Sequence, residues 1–508
     1  MHAYGKGMMQ VANFTVIATV EDTNNLKLQG VSDLEYARIS GDDFLFVATE
    51  ADSAVTSFQI SRNSAPALRD TLEFSALSGT FAVTQTTVTT VGGEVTLLLM
   101  GRLDDDVAIY HIDNAGSFSN AVQQSANGTD IDRFHVSQNL TIDGKVFLFV
   151  SEWGVQGISS YRMKPDDTLN TKNSYENNVF DYVDDISAFA TVDIAGKHFL
   201  FAASAFDAGL NSFRVGRHGN LHLKDTVAPS DGSGFNLPQA LETVAVDGQN
   251  YVLMGSAGTD SITTYSIAKN GGLTEVDHLL DSVDTRFENV SVLESFNYNN
   301  RAFVLAAGSD DGITLLELHS GGVLSVISVL ADDFDTTLNN VTDIEVVKFG
   351  SEVHAFVSSG AENGFTQIEI ELGDIGVSRL GRTAPDTLIG TAGDDVLLGM
   401  GGRDTLQGGD GDDRLVDGKG KDHLYGGAGA DVFQFVEDGK KDIIHDYEAG
   451  IDLIDLSQIA AASHISSLSI KSREFGAAIF VGQEEIRVET DNGSSLTAAD
   501  FTVDDFIF

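Results

Sequence analysis

The sequence predicts an all-β protein built from two consecutive domains with different internal repeats. Seven copies of a strand, a small-residue turn and a second strand recur through residue 380, and a period of nine residues begins at Gly381. The chain of 508 residues is 42% hydrophobic, which is enough for large apolar cores. It contains no cysteine, so disulfide scaffolds and thiolate metal sites are excluded.

The first period measures 51 or 52 residues and marks seven copies of one structural unit. Alternating apolar segments flank the two central strands of each copy, so each unit is predicted to be a four-stranded antiparallel sheet. One such sheet buries too little surface on its own, so we expect the sheets to pack radially around an axis. Seven copies therefore predict a seven-bladed β-propeller. The central strands begin at Phe44, Thr96, Phe147, Phe199, Tyr251, Phe303 and His354, and the second strands close on Phe58, Tyr110, Tyr161, Phe213, Tyr265, Leu316 and Ile368.

Two segments compete for the strand that closes the ring. The segment FTVIATVEDTNN from Phe14 resembles LSVISVLADDFD in the sixth copy, and we expect it to help close the ring and protect its edges. The segment IGVSRL from Ile375 is the other candidate for the outer strand of the last blade. An open or eight-unit ring therefore remains the alternative.

The propeller copies resemble a known group of proteins. Strings such as YVLMGSAGTDSITTYSIAKNGGLTEV from Tyr251 are similar to the seven-bladed propellers of the lactonase and YVTN-repeat group. The resemblance covers about residues 14–380, and its motifs are architectural. It therefore implies the fold without implying a catalytic residue.

The nine-residue period carries one aspartate and one large apolar residue per unit. Asp occupies the sixth place of all six units, Leu or Phe occupies the eighth, and glycines favour tight turns. Two carboxylates about 5 Å apart repel by roughly 3 kcal/mol at an effective dielectric of about 20, so stacked units need a divalent cation. Calcium suits such a stack because it accepts many oxygen ligands, backbone carbonyls included, in flexible geometry.

This pattern resembles the RTX, or hemolysin-type, calcium-binding repeat. The resemblance implies a parallel β-roll in which two strands form each turn and each ion lies between loops eighteen residues apart. The implied partners are Asp395 with Asp413, Asp404 with Asp422, and Asp413 with Asp431. The implied calcium ligands are the carboxylates of Asp386, Asp395, Asp404, Asp413, Asp422 and Asp431, and the carbonyls of Thr391, Gly393, Met400, Gly402, Gly409, Gly411, Gly418, Gly420, Gly427 and Gly429.

Two units depart from this pattern, and a linker is the competing interpretation. Ala384 and Pro385 replace the usual residues of the first unit, while Asp417, Lys419 and Lys421 surround the ligands of the fifth. We expect a weak or missing site at the first unit and lower calcium affinity near the fifth. Composition alone allows a flexible Gly/Asp-rich linker, but the in-register aspartates and apolar residues argue against it.

The segment after the repeats resembles the cap that follows them in secreted proteases of the serralysin type. It reads DIIHDYEAGIDLIDLS, and its Asp442, Asp446, Asp452 and Asp455 either hold a further ion or cap turns. Further on, AAIFVGQEEIRVE predicts a hairpin and SLTAADF predicts a short helix.

The ends of the sequence suggest a route of export. Residues Asp504 to Phe508 match the acidic-then-hydrophobic ending of type I secretion substrates, and no signal-peptide or transmembrane run of apolar residues is present. We expect export by type I secretion machinery from a Gram-negative bacterium, with the protein extracellular or retained at the cell surface. The predicted domains are a propeller over residues 1–380, a calcium-binding β-roll over 381–434, and a cap with the export signal over 435–508.

Charge and isolated residues limit the partners of the propeller. The formal charge of −46 disfavours nucleic acid as a partner. Trp153, the single tryptophan, either packs between blades or offers a sugar-stacking surface. Five acids before the innermost strands either cap turns or ring one channel mouth as a cation or polyol site: Asp33, Asp132, Asp185, Glu288 and Asp343.

Two functions stay open for the propeller. The sequence shows no histidine pair at the i, i+4 metal-binding spacing on a predicted helix, no nucleophile elbow and no phosphate-binding glycine loop. This favours an extracellular binding or structural module for a glycan, a surface or a matrix partner. The alternative is an extracellular lactonase-like hydrolase or polysaccharide lyase that uses polar groups at the channel mouth.

Overall fold

The computed structural model describes residues 12–23, 26–74, 82–101, 107–124, 134–152, 156–175, 182–228, 234–283, 285–333, 335–373, 375–490 and 492–508. Strands dominate these residues, with short 3₁₀ helices at Ile465–Ser467 and Val503–Asp505. The predicted all-β class is confirmed. In the described part of the chain, no helix has the length and hydrophobicity needed to cross a bilayer.

Within the described residues, the propeller contains twenty-eight strands. In chain order they are β1 (Asn13–Glu21), β2 (Val31–Ile39), β3 (Asp42–Thr49), β4 (Ala54–Ser61), β5 (Ser64–Glu73), β6 (Val83–Val91), β7 (Glu94–Gly101), β8 (Val107–Ile112), β9 (Phe118–Gln124), β10 (Phe134–Ile142), β11 (Lys145–Glu152), β12 (Ile158–Met163), β13 (Leu169–Tyr175), β14 (Ile186–Ile194), β15 (Lys197–Ser204), β16 (Gly209–Val215), β17 (Leu221–Val227), β18 (Pro238–Val246), β19 (Gln249–Ser256), β20 (Ser261–Ile267), β21 (Leu273–Leu280), β22 (Val292–Tyr298), β23 (Arg301–Ala307), β24 (Gly312–Leu318), β25 (Leu324–Ala331), β26 (Val341–Phe349), β27 (Glu352–Ser359) and β28 (Gly364–Glu371).

Seven four-stranded antiparallel sheets form the blades of the propeller. The first blade has the order β2-β3-β4-β5, and the next five blades repeat this order along the chain. The innermost strands β2, β6, β10, β14, β18, β22 and β26 contact their neighbours around the axis, and β26 contacts β2. The predicted seven-bladed propeller is therefore confirmed.

The N-terminal strand closes the ring, as the sequence predicted. β1 pairs antiparallel with β28, which gives the last blade the order β1-β28-β27-β26. The alternative role for IGVSRL is wrong. That segment is β29 (Ile375–Leu380), which pairs parallel with residues 394–398 because β1 already occupies the outer edge of β28.

Apolar cores fill the seams between neighbouring blades. At the seam of the last and first blades, the rings of Phe58 and Phe365 meet edge to face with centroids 5.3 Å apart. Val47 and Phe356 belong to the same cluster. Equivalent clusters lie at the other six seams, so each blade buries both faces against its neighbours.

The chain after the propeller forms shorter strands. They are β29, β30 (Thr387–Ile389), β31 (Asp394–Leu398), β32 (Gly401–Gly402), β33 (Thr405–Asp410), β34 (Arg414–Val416), β35 (Lys419–Gly420), β36 (His423–Ala428), β37 (Val432–Val436), β38 (Lys441–Tyr447), β39 (Leu453–Gln458), β40 (Ser469–Arg473), β41 (Gly476–Val481), β42 (Glu484–Thr490) and β43 (Phe506–Ile507).

Two sheets of stacked strands form a parallel β-solenoid. One has the order β29-β31-β34-β37-β39-β43 and the other β30-β33-β36-β38-β42-β41-β40. Successive repeat strands alternate between the sheets, so two strands complete each turn, as the resemblance implied. The eighth-place residues form a narrow core between the sheets: Leu388, Leu397, Leu406, Leu415, Leu424 and Phe433.

The C-terminal region confirms one sequence prediction and contradicts another. β41 and β42 form the predicted hairpin. The segment SLTAADF forms turns instead of a helix, because Asp500 accepts hydrogen bonds from the backbone and hydroxyl of Thr497 while Leu496 and Phe501 pack into the solenoid core. A single 3₁₀ turn follows at Val503–Asp505.

Buried polar contacts join the sixth blade to the solenoid. Arg301 on β23 donates two hydrogen bonds, of 2.7 and 2.6 Å, to the carboxylate of Glu317 on β24. The same guanidinium donates to the carbonyl oxygen of Asp394 at 3.1 Å. His319 and Ser378 are 2.6 Å apart at the same junction. The planar, bidentate pair of Arg301 and Glu317 fixes the guanidinium that binds Asp394, and it thereby orients the first solenoid turn against the propeller.

Candidate metal centre and propeller channel

The sixth-place aspartates stack in two rows along the solenoid. Within each row, the Oδ1 atom of one aspartate accepts a hydrogen bond from the backbone N–H of the aspartate one turn earlier. The first row runs Asp386, Asp404, Asp422 and Asp442, with N–O distances of 2.8, 2.6 and 2.9 Å. The second runs Asp395, Asp413, Asp431 and Asp452, with distances of 2.8, 2.9 and 3.0 Å. The structure thus brings together the implied pairs and adds one cap aspartate to each row.

Four aspartates of these rows each leave one carboxylate oxygen without a protein partner in the described part of the chain. The Oδ2 atoms of Asp404, Asp413, Asp422 and Asp431 are buried and accept no hydrogen bond within the described residues. An unpaired buried carboxylate oxygen is costly unless a proton or a cation neutralises it. The available ligands are hard oxygens, which are the ligands that calcium prefers.

The pKa values of these carboxyl groups reflect the same cost. Burial raises the pKa of Asp413 to about 8, and the charges of Asp431 and Asp395 add to the shift. Burial likewise raises the pKa of Asp431 to about 7 and that of Asp422 to about 6. Near neutral pH, the metal-free rows therefore hold carboxyl groups that ionise reluctantly.

Glycines allow successive turns to approach closely over the carbonyl groups. A β-carbon at Gly420, Gly427 or Gly429 would overlap the carbonyl oxygen one turn earlier, and each of these contacts is with backbone. The carbonyl ligands implied for Thr391, Gly393, Met400, Gly402, Gly409 and Gly411 lie beneath such glycines. Gly418, Gly420, Gly427 and Gly429, also implied as ligands, belong to the turns above. Carbonyls and aspartates together fit the donor set of a calcium ion.

The two divergent units carry distinctive contacts. In the first, the guanidinium of Arg382 donates to the Oδ1 of Asp386 at 2.5 and 3.0 Å. A cationic side chain therefore already pairs with this carboxylate, and the weak site expected there stays a prediction. In the fifth, Asp417 replaces glycine and is buried, and its Oδ1 accepts from the N–H groups of Gly418 and Val436.

Two of the four cap aspartates continue the aspartate rows, and the other two have different partners. Asp442 and Asp452 extend the rows. Asp446 accepts a hydrogen bond of 3.0 Å from the N–H of Gly426. Asp455 forms a 3.2 Å ion pair with Arg414, so its charge has a protein partner.

A second acidic cluster lies inside the propeller. Burial is the main cause that raises the pKa values of its carboxyl groups. The pKa of Glu35 is raised to about 8, and those of Glu242 and Asp343 are raised to about 7. The charge of Glu35 in the first blade also raises the pKa of Glu294 in the sixth, so side chains from separate blades converge on the axis. The cluster comprises Asp33, Glu35, Glu242, Glu294, Asp343 and Glu345, all on innermost strands, and we call it the channel cluster.

Several channel acids also connect neighbouring blades. Asp343 accepts from the N–H of Leu34 at 2.7 Å, and Asp33 accepts from that of Thr86 at 2.8 Å. Glu35 accepts from the N–H of Val88 at 2.9 Å. These bonds join the innermost strands in sequence around the axis. Part of the acidic character of the channel is therefore structural.

The sequence identified two of the six channel acids, Asp33 and Asp343. Asp132 lies outside the described residues, as does Trp153. Asp185 and Glu288 belong to turns before β14 and β22, where their carbonyls accept from the N–H groups of Ala205 and Ser309.

The four missed acids had a sequence signal. Glu35 and Glu345 lie two residues beyond the predicted acids, and alternation along a strand puts such residues on the same face. Glu242, Glu294 and Glu345 also follow one another at intervals of 52 and 51 residues, which is the blade period.

Among the solved structures that are similar to this chain are the following three. A Bacteroides fragilis protein provisionally named 6-phosphogluconolactonase is 16% identical, with 66% of this chain and 98% of that chain covered and a TM-score of 0.48. A Lactobacillus plantarum protein is 16% identical, with 63% and 89% covered and a TM-score of 0.48. The periplasmic gluconolactonase PpgL of Pseudomonas aeruginosa is 17% identical, with 59% and 85% covered and a TM-score of 0.46. These likenesses carry no conclusion about activity.

A comparison with curated proteins found no match. A comparison with family models found a match within the solenoid. Residues 380–415 and 407–434 match the model of the RTX calcium-binding nonapeptide repeat, four copies. The matched segment contains the stacked aspartates and the closely approaching glycines. Residues 380–434 are therefore RTX calcium-binding nonapeptide repeats.

Proposed function

We propose that this chain is a secreted, calcium-dependent protein in which calcium folds the solenoid outside the cell and the propeller is the binding module. The unpaired Oδ2 atoms of Asp404, Asp413, Asp422 and Asp431 carry the calcium part of this proposal. Where calcium is scarce, their charges oppose stacking of the turns. Where calcium is abundant, its binding energy becomes folding energy.

Type I secretion machinery is the proposed export route. A chain whose C-terminal part cannot fold in low calcium stays threadable through a narrow exporter, and then folds in an external medium rich in calcium. The calcium-binding repeats of residues 380–434 support this route, because they supply the folding switch. The site of action is then extracellular or at the surface of a Gram-negative cell.

The propeller is proposed to bind a glycan, a cell surface or a matrix partner. The channel cluster supports this role, because carboxyl groups exchange hydrogen bonds with the hydroxyl groups of a ligand. Glu345 is the channel acid most available to a ligand, since no hydrogen bond to it is present among the described residues.

The experiment has an export arm and a binding arm. The full chain is expressed in a Gram-negative host with and without a type I exporter, and the folded protein in calcium-containing medium is quantified. Purified chain is then tested on a glycan array, with Glu345→Gln as the channel variant and exposed Glu275→Gln as its control. Accumulation in the medium without an exporter contradicts the route, and binding that neither variant changes contradicts the channel.

A hydrolase is the second candidate, and the pKa of Glu35 favours it. A carboxyl group with a pKa of about 8 stays protonated at neutral pH and can donate a proton to a leaving group. The formal charge of −46 repels anionic polysaccharides, so a lactone is the better substrate class than the substrate of a polysaccharide lyase. Screening neutral lactones with the native chain and with Glu35→Gln tests this candidate, and equal turnover by both chains excludes Glu35 as the acid.

A further inference from the structure

The end of the solenoid contains a group of carboxylates that the nonapeptide pattern does not account for. Asp438, Asp442 and Glu484 each place one carboxylate oxygen within 4.8 Å of the others. A second triad, formed by Asp417, Asp422 and Asp442 at the same spacing, shares Asp442 with it. Asp438 precedes β38 and Glu484 opens β42, so neither residue belongs to a repeat unit.

One oxygen of Glu484 is buried and unpartnered in this triad. The residue is 2% exposed, and its Oε1 accepts hydrogen bonds from the N–H groups of Asp438 and Gly439 at 2.7 and 2.5 Å. Its Oε2 has no hydrogen-bond partner in the part of the chain that the structure describes. The backbone bonds hold the carboxylate in one orientation, and that orientation leaves a free oxygen beside two aspartates.

The basic side chain next to Asp442 in sequence is engaged elsewhere. Lys441, which neighbours Asp442 in sequence, pairs with Glu485 at 2.5 Å. Across the described residues, none of the ion pairs includes Asp438, Asp442 or Glu484. The buried negative charge of the triad therefore lacks a protein counter-ion.

We propose that Asp438, Asp442 and Glu484 hold a further calcium ion, which ties the C-terminal hairpin β41–β42 to the last turn of the repeat. Calcium suits the triad better than magnesium, because the ligands are carboxylates from two separate segments and calcium tolerates irregular geometry. Transition metals are disfavoured by the absence of nitrogen and sulfur ligands from the triad. Asp442 then links this ion to the row of the repeats.

A calcium ion at this triad would affect the folding of the C-terminal hairpin β41–β42. β42 pairs parallel with β38 and antiparallel with β41, so an ion at the start of β42 stabilises the junction of the solenoid with its C-terminal hairpin. The hairpin then responds to calcium directly as well as through the repeats. This inference rests on the calcium-dependent folding proposed above, and variants of Glu484 separate the two.

The test uses the full chain with Glu484→Gln, and Glu485→Gln as the matched control. Glu485 is the next residue of the same strand and pairs with Lys441 instead of the triad. Bound calcium is counted by flow dialysis, and protection of β41–β42 is followed by hydrogen exchange as calcium is raised. We expect Glu484→Gln to bind one ion fewer and to need about tenfold more calcium to protect the hairpin, while Glu485→Gln behaves like the native chain.

A second variant covers the case in which Glu484→Gln fails to fold. Asp438→Asn changes a partly exposed ligand, so it disturbs packing less. Loss of one ion in this variant supports the site. If both variants bind as many ions as the native chain, with unchanged half-saturation, the proposal is overturned and the three carboxyl groups share protons. Chelation that leaves the repeats folded in the native chain would instead refute the calcium-dependent folding of the solenoid.

Discussion

The propeller and the solenoid both repeat a short unit, yet they bury different groups. Each propeller seam encloses a broad apolar cluster, such as the one around Phe58 and Phe365. The solenoid repeats contribute one fully buried large residue per strand, such as Leu406 or Leu415. Beside that narrow core lie buried aspartates with unpartnered oxygens. Burial of apolar surface therefore stabilises the propeller, whereas the solenoid also requires neutralisation of its buried carboxylates.

The same contrast holds for the acids of each domain. In the channel cluster, Asp33, Glu35 and Asp343 accept backbone hydrogen bonds from the next blade. In the solenoid, four buried aspartates each accept one backbone bond through Oδ1, while their Oδ2 atoms have no hydrogen-bond partner among the described residues: Asp404, Asp413, Asp422 and Asp431. An array of buried carboxyl groups is therefore stable without metal only where backbone N–H groups of neighbouring strands and shared protons satisfy the carboxyl oxygens. Four experiments test this difference, from the largest expected effect to the smallest.

Calcium removal gives the largest expected difference between the domains. With excess chelator at pH 8, we expect strands β31–β39 to lose hydrogen-exchange protection, because the aspartate rows repel one another. Strands β3, β15 and β23, whose central residues are buried at apolar seams, keep theirs. Equal protection of both domains in chelator would contradict the proposed role of the aspartates.

Truncation of core leucines separates the two sources of stability. Leu406→Ala and Leu305→Ala each remove a fully buried side chain, at an expected cost of about 2–5 kcal/mol. The first raises the calcium concentration needed to fold the solenoid. The second lowers the urea midpoint of the propeller, read from Trp153 fluorescence, equally with and without excess calcium. Ile389→Ala, at a side chain 54% exposed, is the control.

Neutralising one row aspartate has a smaller, local effect. Asp413→Asn keeps the side-chain shape and removes the charge of a residue that is 0% exposed. We expect about a tenfold increase in the calcium midpoint, or about 1.4 kcal/mol, measured by circular dichroism. Asp410→Asn, at the exposed end of the preceding strand β33, tests whether net charge alone is responsible. Equal midpoints for the two variants would argue against a ligand role for Asp413.

The channel cluster predicts the smallest effect, on the pH dependence of the propeller. Its carboxyl groups have pKa values above those of exposed carboxyls, and burial raises the pKa of Glu35 to about 8. They favour the fold while protonated, so this stability is complete below about pH 4.5 and is lost as pH rises through about 7 to 8. Glu345→Gln should raise the stability of the propeller by about 1 kcal/mol at pH 9 and leave it nearly unchanged at pH 4.5.

Urea titrations in constant calcium measure this dependence, with Trp153 fluorescence as the signal. Glu275→Gln, on the exposed face of β21, is the matched control. A variant that is equally stabilised at both pH values would indicate a packing effect unrelated to ionisation.

Regular spacing made much of the architecture predictable. Repetition at 51 or 52 residues located the seven blades, and the nine-residue period located the aspartate rows. The short helix assigned to SLTAADF was wrong, because local residue preferences there were overridden by the Asp500 turn and by packing of Phe501. The channel acids beyond Asp33 and Asp343 were missed, although the blade register pointed to Glu242 and Glu294.

The sequence by itself determined the repeat types, the number of blades and the calcium-binding character of residues 380–434, because these depend on periodic patterns within short segments. Only the tertiary structure decided that β1 occupies the edge for which β29 also competed. It alone brought Glu484 beside Asp438 and Asp442, and Glu35 beside Glu294. These contacts join residues far apart in the chain, and distant residues meet only when the paired strands fix their positions in space.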